Sequence, residues 1–277
     1  VVDIRQEEQR LGGAANVALN VKAMGGTPLL CAVIGQDAAA QQFHALMEDA
    51  GMTTTALVES PDRHTTIKTR IIGRSQQMLR VDREDRHPLL DSDRLPLWRN
   101  IQKLLEEQSP DAILLQDYNK GVFSTDLIRL IVDAANDKGI PVAVDPKRDH
   151  FFDFSGVTLF KPNLKELKEG LHLTEPLDTP AALQRAADQL RQEMPHQYTF
   201  ITRSEKGVWL TDGKQTWSHP AHIRSVSDVS GAGDTVIAVA TLLLARGIDP
   251  SIMAAIANLA GGLVCEAVGV VPIQLEQ

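Results

Sequence analysis

The sequence predicts an α/β fold: a mostly parallel sheet covered on both faces by helices, with a small antiparallel hairpin inserted into it. Three observations carry this. Short apolar runs alternate with helical patterns of roughly 10–15 residues along most of the chain, the rhythm of βαβ units. Residues 56–82 break that rhythm and read as extended throughout. The 277 residues are 43% hydrophobic and 23% charged, an ordinary globular composition that leaves disorder without support. No internal repeat or low-complexity linker divides the chain, so 1–277 reads as one domain with an insert over 53–83.

The first helix is expected over 14–24, opened by Gly12-Gly13, and the apolar run 29–34 follows as a strand. A helix over 38–50 stops at Gly51. Within the insert, 65–72 and 77–82 flank Gly73-Arg74-Ser75-Gln76 and read as an antiparallel hairpin bearing Lys68, Arg70, Arg74 and Arg80. That charge suits either a protected edge strand or a lid facing a substrate. Beyond it come a helix over 91–107, a strand over 112–116, and a helix over 125–138 with Ser124 as N-cap and Gly139 as stop. Strands over 142–145 and 157–161 precede a helix over 179–192 that starts at Thr179. Strands over 199–202 and 208–211 follow, and then helices over 232–246, ended by Gly247, and 250–267.

Composition narrows the function. A net charge of −8 argues against holding nucleic acid by its phosphates, and 4% aromatics against a base-stacking platform. The longest apolar stretch, 236–245, falls short of the ~20 residues of a membrane span, and no signal peptide is visible. Cys31 and Cys265 are too few for a disulfide framework or a zinc site, which points to a reducing, cytoplasmic setting. The eight histidines show no metal-ligand spacing; His219-Pro220-Ala221-His222 is read as a structural loop.

Several clusters carry chemistry. Asp228-Val229-Ser230-Gly231-Ala232-Gly233-Asp234-Thr235 precedes an apolar helix, and two glycines leave backbone amides uncovered where the helix dipole favours an anion. Asp234, in the first turn, is either a capping residue or a base beside a transferring phosphate. No Gly-Lys-Ser/Thr follows, so this is not a Walker loop. Gly12-Gly13-Ala14-Ala15-Asn16 allows close backbone approach and offers an amide donor and acceptor, or is simply a turn and helix start. In Lys161-Pro162-Asn163-Leu164-Lys165-Glu166, Asn163 and Glu166 share a face; they could steer hydrated Mg²⁺ or form a capping box. Gln116-Asp117-Tyr118-Asn119-Lys120-Gly121, Asp145-Pro146-Lys147 and Thr202-Arg203-Ser204-Glu205-Lys206-Gly207 also follow strands, so all would converge on one crevice.

Together these residues resemble the ribokinase-like (PfkB) carbohydrate kinases over nearly the whole chain. The resemblance implies a three-layer sandwich with a mostly parallel central sheet and a small antiparallel β lid. It implies that Asp234 is the base, with the Gly231, Ala232 and Gly233 amides stabilising the transferring phosphoryl group. Asn163, Leu164, Lys165 and Glu166 would serve Mg²⁺ and the ATP phosphates, the metal through water at Asn163 and Glu166. Thr202, Glu205 and Gly207 would form the nucleotide-side turn, Asn258 would close over the adenine, and Gly12, Gly13 and Asn16 would lie beside the sugar. Finer features resemble the D-glycero-β-D-manno-heptose 7-phosphate kinases: Thr66-Ile67-Lys68-Thr69-Arg70, Gln76-Gln77-Met78-Leu79-Arg80-Val81-Asp82, Asp117-Tyr118-Asn119-Lys120-Gly121 and Asp145-Pro146-Lys147. The implied reaction is ATP-dependent phosphorylation of the anomeric hydroxyl, on the route to ADP-heptose for lipopolysaccharide cores. A substrate that already carries a phosphate needs cations away from the transfer site, and Lys68, Arg70, Arg80, Lys120 and Lys147 are available, with Asp117 among the sugar-side residues.

Another sugar or sugar-phosphate kinase, and a non-catalytic module of the same fold, are the alternative readings. A Rossmann oxidoreductase lacks its glycine fingerprint. Family members open with a strand ending in Gly-Asp; only 1–10 precede Gly12-Gly13, so the expectation is a sheet one strand short and a missing sugar contact. No His-x-Gly-His nucleotidyltransferase motif is present, so the chain is expected to hold the kinase half alone. An apolar face on the lid would pair with a second copy, giving a homodimer.

Overall fold

The computed structural model describes residues 4–73, 76–221, 228–267 and 269–274. In chain order the elements are α1 (Ala14–Ala23), β1 (Val33–Gly35), α2 (Ala38–Asp49), β2 (Val58–Ser60), β3 (Ile67–Gly73), β4 (Gln76–Arg83), α3 (Asp91–Glu107), β5 (Ile113–Gln116), α4 (Thr125–Asp137), β6 (Val142–Asp145), β7 (Leu159–Phe160), α5 (Leu164–Gly170), α6 (Pro180–Glu193), β8 (Tyr198–Thr202), β9 (Val208–Thr211), β10 (Thr216–His219), α7 (Ala232–Ala245) and α8 (Pro250–Val264).

A six-stranded sheet in the order β10-β9-β8-β7-β6-β5 forms the middle layer, parallel from β5 to β8 and antiparallel at β8–β9 and β9–β10. Both faces are covered, which is why its strands read as continuous apolar runs. Val142, Val144, Phe160, Ile201 and Trp209 point into the core shared with α4 and α6, while Ala143, Leu159, Phe200, Val208 and Leu210 point toward α7 and α8. Ser124 and Thr179 cap α4 and α6, their hydroxyls accepting from Leu127 N and Ala182 N. Gly51, Gly139 and Gly247 follow α2, α4 and α7 at φ of 60°, 66° and 63°, the left-handed turn that stops a helix.

The hairpin β3–β4 stands apart as its own antiparallel sheet, with a register shift between Ile71 and Ile72. Its turn residues Arg74 and Ser75 lie outside the described residues, as does His222. One face carries Ile67, Ile71, Leu79 and Val81, the other Lys68, Arg70, Arg80 and Asp82, as the pairing of Thr69 with Val81 and Arg70 with Arg80 requires.

Some elements differ from expectation. The strand expected over 29–34 is ordered into a ladder only at Val33–Gly35, because its partner β2 is itself three residues long. That pair forms a separate parallel sheet. Between β1 and the outer edge of β5 lies a cavity of about 2380 Å³ whose wall includes Leu30, Ile34, Leu97, Ile113, Leu115 and Leu127. Strand β10, Thr-Trp-Ser-His, has too little apolar pattern to be legible and occupies the sheet edge. No helix among the described residues is long and apolar enough to cross a membrane.

Candidate active site

Because β5 to β8 are parallel, the residues that end them share one rim: Gln116 and Asp117, Asp145, Lys161 just after β7, and Thr202. Helix α7 points its N-terminus at this rim. Gly231 is its N-cap at φ 85°, a conformation that favours glycine, and a Cβ there would lie 3.3 Å from both Asn16 Nδ2 and Val270 Cγ1. Ala232 N–H reaches back to Val229 O at 3.4 Å, while Gly233 sits exposed in the first turn, where amides lack intrahelical acceptors.

Asp234 is the next residue of that turn. Asn16 Nδ2 donates to its Oδ2 at 2.9 Å and Tyr118 Oη donates to its Oδ1 at 3.0 Å. The two glycine clusters therefore meet: Asn16 and Asn20 lie one turn apart on α1, and Thr235 Oγ1 donates to Asn20 Oδ1 at 3.0 Å. Burial pushes the Asp234 carboxyl above its ordinary value, the hydrogen bonds from Asn16 and Tyr118 pull it back, and the Asp145 charge adds to the rise while Lys161 opposes it. The helix terminus alone would predict a readily ionised base; burial acts in the opposite sense.

The glycine turn before α7 has a buried cation beside it. Lys161, 3% exposed, pairs with Asp145 Oδ2 at 3.1 Å, and its Nζ lies 3.9 Å from where a Cβ on Gly233 would stand. Around it Asn16 Oδ1, Gln116 Oε1, Asp117 Oδ2 and Asp145 Oδ1 are buried acceptors without a hydrogen-bond partner. Asp117 Oδ1 accepts from Asn119 N, and burial drives the Asp117 carboxyl up. Unpaired acceptors at one rim suit a ligand rich in hydroxyl donors.

Asn163 and Glu166 form a capping box at the start of α5: Asn163 Oδ1 accepts from Glu166 N at 2.8 Å and Glu166 Oε2 accepts from Asn163 N at 2.9 Å. The other Glu166 oxygen pairs with Lys147, which also approaches Asp145 at 3.6 Å. Burial lowers the Lys147 ammonium, but Asp145 and Glu166 outweigh it and the net direction is upward. Leu164 and Lys165 open α5, with Lys165 exposed. Thr202 bridges to Asn163, its N–H donating to Pro162 O at 3.1 Å. Glu205 is exposed in a short 3-10 turn, and Gly207 closes it at φ 77°, where a Cβ would collide with His219 O. Asn258 Nδ2 donates to Pro220 O at 2.8 Å, so Asn258 and Gly207 meet around 219–221.

Of the five candidate phosphate-binding cations, four are engaged. Lys68 reaches Asp82 and Glu84, Arg80 reaches Asp82, Lys120 reaches Glu84, and Lys147 reaches Glu166. The Lys120 contact pulls Glu84 down to about 2. Arg70 has no ion-pair partner among the described residues, yet its charge helps lower Asp228 at the mouth of the anion loop, chiefly against burial and together with hydrogen bonds from Ser230. Gly12 has open space around it, and Gly13, at φ 56°, lies beside the edge of the Tyr118 ring.

Gln116, Tyr118, Asp145 and Lys161 fall within the clusters expected to converge on one crevice, but no individual role was expected of them. Their signal was position: each is a polar residue at the C-terminal end of an apolar parallel strand or within two residues beyond it.

The chain is 42% identical over 280 residues to the bifunctional protein HldE of Methylobacillus flagellatus, covering 100% of this chain and 57% of that relative. It thus spans little more than half the length of that protein. Among solved structures, phosphofructokinase-2 from Escherichia coli in complex with potassium matches with a TM-score of 0.78 at 19% identity, covering 96% of this chain and 84% of that one. Arabidopsis thaliana ribokinase complexed with ribose and ATP matches with a TM-score of 0.72 at 18% identity, covering 94% and 83%. These likenesses show the shared fold, the ribokinase-like sandwich with its small antiparallel sheet. The model of the pfkB family of carbohydrate kinases matches residues 1–276, and the chain belongs to that family.

Proposed function

We propose that this chain is an ATP-dependent kinase that phosphorylates the anomeric hydroxyl of D-glycero-D-manno-heptose 7-phosphate in the cytoplasm, toward ADP-heptose. The observation that carries this is Asp234: a carboxylate gripped by Asn16 and Tyr118 in the first turn of α7, one residue from exposed amides and beside buried Lys161. In the reaction the acceptor oxygen forms a bond to the γ-phosphorus, the bond from that phosphorus to ADP breaks, and the acceptor proton passes to Asp234. The Gly231, Ala232 and Gly233 segment and Lys161 face the charge carried by the transferring group. The heptose assignment rests on the Thr66–Arg70, Gln76–Asp82, Asp117–Gly121 and Asp145–Lys147 motifs together with similarity to HldE along the whole of this chain, 57% of that relative.

Asn163 and Glu166 supply the hard oxygen donors that suit Mg²⁺, but both are committed to the capping box and Lys147, so they fit an ion held through water. When bound, the ion would neutralise the phosphate charges. No group of three or more His, Cys, Asp or Glu among the described residues could hold a metal directly. The test is ADP release with Mg·ATP across heptose 7-phosphate, fructose phosphates and free ribose. Turnover confined to the heptose phosphate supports the assignment; preference for another sugar overturns the acceptor, and silence on all overturns the activity.

Arg70 is the cation with charge to spare, and we assign it to the substrate's distal phosphate. Arg70→Ala raises KM for the sugar phosphate about tenfold or more, with kcat little changed and no effect on a sugar lacking that phosphate. An unchanged KM would remove Arg70 from the site.

The hairpin further suggests a homodimer. Leu79 and Val81 are each 52% exposed on its apolar face, beside Ile67 and Ile71. A second copy pairing through this face gives twice the 30.3 kDa chain mass in solution, and Leu79→Glu with Val81→Glu returns it to the single-chain mass. A wild-type chain of single mass excludes the pairing.

A further inference from the structure

Building on Asp234 as the base, we propose that Tyr118 is its positioning residue: the phenol fixes the rotation of the Asp234 carboxylate and supports its negative charge. The geometry is specific. Tyr118 Oη donates to Oδ1 at 3.0 Å while Asn16 Nδ2 donates to Oδ2 at 2.9 Å, so each oxygen is held by one donor and keeps a second lone pair for the acceptor hydroxyl. The ring edge lies beside Gly13, 3.4 Å from where a Cβ would stand. The turn that carries it is locked by Asp117 Oδ1 accepting from Asn119 N at 2.8 Å and by Asn119 at φ 52°. Two residues on, Gly121 O accepts from Leu89 N at 3.0 Å, and a Cβ on Gly121 would collide with His87 O. A rigid loop with a locked donor is what preorganisation of a catalytic group requires.

The groups that face Asp234 come from four elements: Asn16 from α1, Tyr118 beyond β5, Asp145 at the end of β6, and Lys161 after β7. Burial raises the Asp234 carboxyl, and Asp145 raises it further; Asn16, Tyr118 and Lys161 lower it. Burial and the neighbouring Asp234 charge push the Tyr118 phenol far above its ordinary value, so it stays a donor at every working pH and does not compete as a base. Removing its hydroxyl leaves burial less opposed, and the Asp234 titration moves upward.

Tyr118→Phe in the full chain tests this. Asp234 is followed by carbon-13 NMR of aspartate carboxyl carbons, its resonance assigned by loss in Asp234→Asn, alongside the pH profile of kcat. The expected result is an Asp234 midpoint and an acidic limb both raised by about one pH unit, with kcat on the acidic limb down roughly tenfold, KM unchanged, and recovery as pH rises. Should that variant fail to fold, 3-fluorotyrosine serves instead. The chain has two tyrosines, so incorporation into a Tyr198→Phe background labels position 118 alone with a more acidic donor, which should shift the midpoint downward. A midpoint that moves in neither protein overturns the proposal. The NMR titration reads out without turnover, so absence of kinase activity on every sugar would strike the functional assignment while the role of Tyr118 would still stand or fall on the measured midpoint.

Discussion

Asp234→Asn lowers kcat by about 10²–10⁴-fold and leaves the chain folded. The loss follows from removing the one group in the first turn of α7 able to accept the acceptor's proton. The fold survives because the substitution is nearly isosteric and its partners can adapt. Tyr118 Oη can still donate to an amide oxygen, and Asn16 Oδ1, a buried acceptor now without a partner, can turn to receive the new amide N–H. Removing a carboxylate that burial disfavours further offsets any loss of hydrogen bonding. Kinetics and a thermal melt on the same sample check both halves. Activity near wild type would sink Asp234 as base, and a collapsed melt would contradict the expectation that the fold survives.

Lys161→Met is expected to destabilise the chain by about 3–5 kcal/mol, because it strips the partner from a buried charge. Asp145 is 4% exposed and its Oδ2 pairs with Lys161 at 3.1 Å. What remains is Gln116 Nε2 donating to Oδ2 at 3.2 Å and Lys147 Nζ at 3.6 Å from Oδ1, the latter already shared with Glu166. For a chain of this size that destabilisation is about a 5–9 °C fall in Tm. Lys161→Met combined with Asp145→Leu removes both charges and should regain most of the loss, since a buried ion pair is often replaceable by apolar side chains. Activity should not return with stability, because Lys161 also stands beside Gly233 at the anion loop. A single variant that melts within about 2 °C of wild type would show that water reaches Asp145 and that the pair is not dry.

Much of this was legible in the sequence, and for identifiable reasons. Strands β6 and β9 and helix α3 have the expected bounds because each is bracketed by strong local signals, such as Asp145-Pro146 ending β6. The caps at Ser124 and Thr179 were readable because an N-cap is a local hydrogen bond between residues three apart. The residues of the two glycine clusters were readable too, but not that they touch. Asn16 and Asp234 are 218 positions apart, and only the packing of α1 on α7 brings them within 2.9 Å. Partnering was the least legible property. Lys68, Arg70, Arg80 and Lys120 look equivalent in sequence, yet Asp82 and Glu84 occupy all but Arg70. The Asn163/Glu166 ambiguity had a different cause: a capping box and a pair of oxygen donors use the same atoms, so the spacing cannot distinguish them.

The separation of β1–β2 from the six-stranded sheet has a consequence for cooperativity. The two sheets share no ladder hydrogen bonds among the described residues, and the small apolar cluster of Leu11, Ala15, Ala18, Leu30, Met47 and Met52 lies with the lesser one. Units joined by side chains alone can open sub-globally, below the free energy of complete unfolding. Helix α1 belongs to both, placing Ala15 and Ala18 in the small cluster and Val17 against α7. An excursion of the lesser unit therefore pulls on the helix that holds Asn16 against Asp234. The grip of Asn16 on Asp234 is thus coupled to the lesser unit, and it can lapse on a timescale set by local opening while the main sheet remains intact.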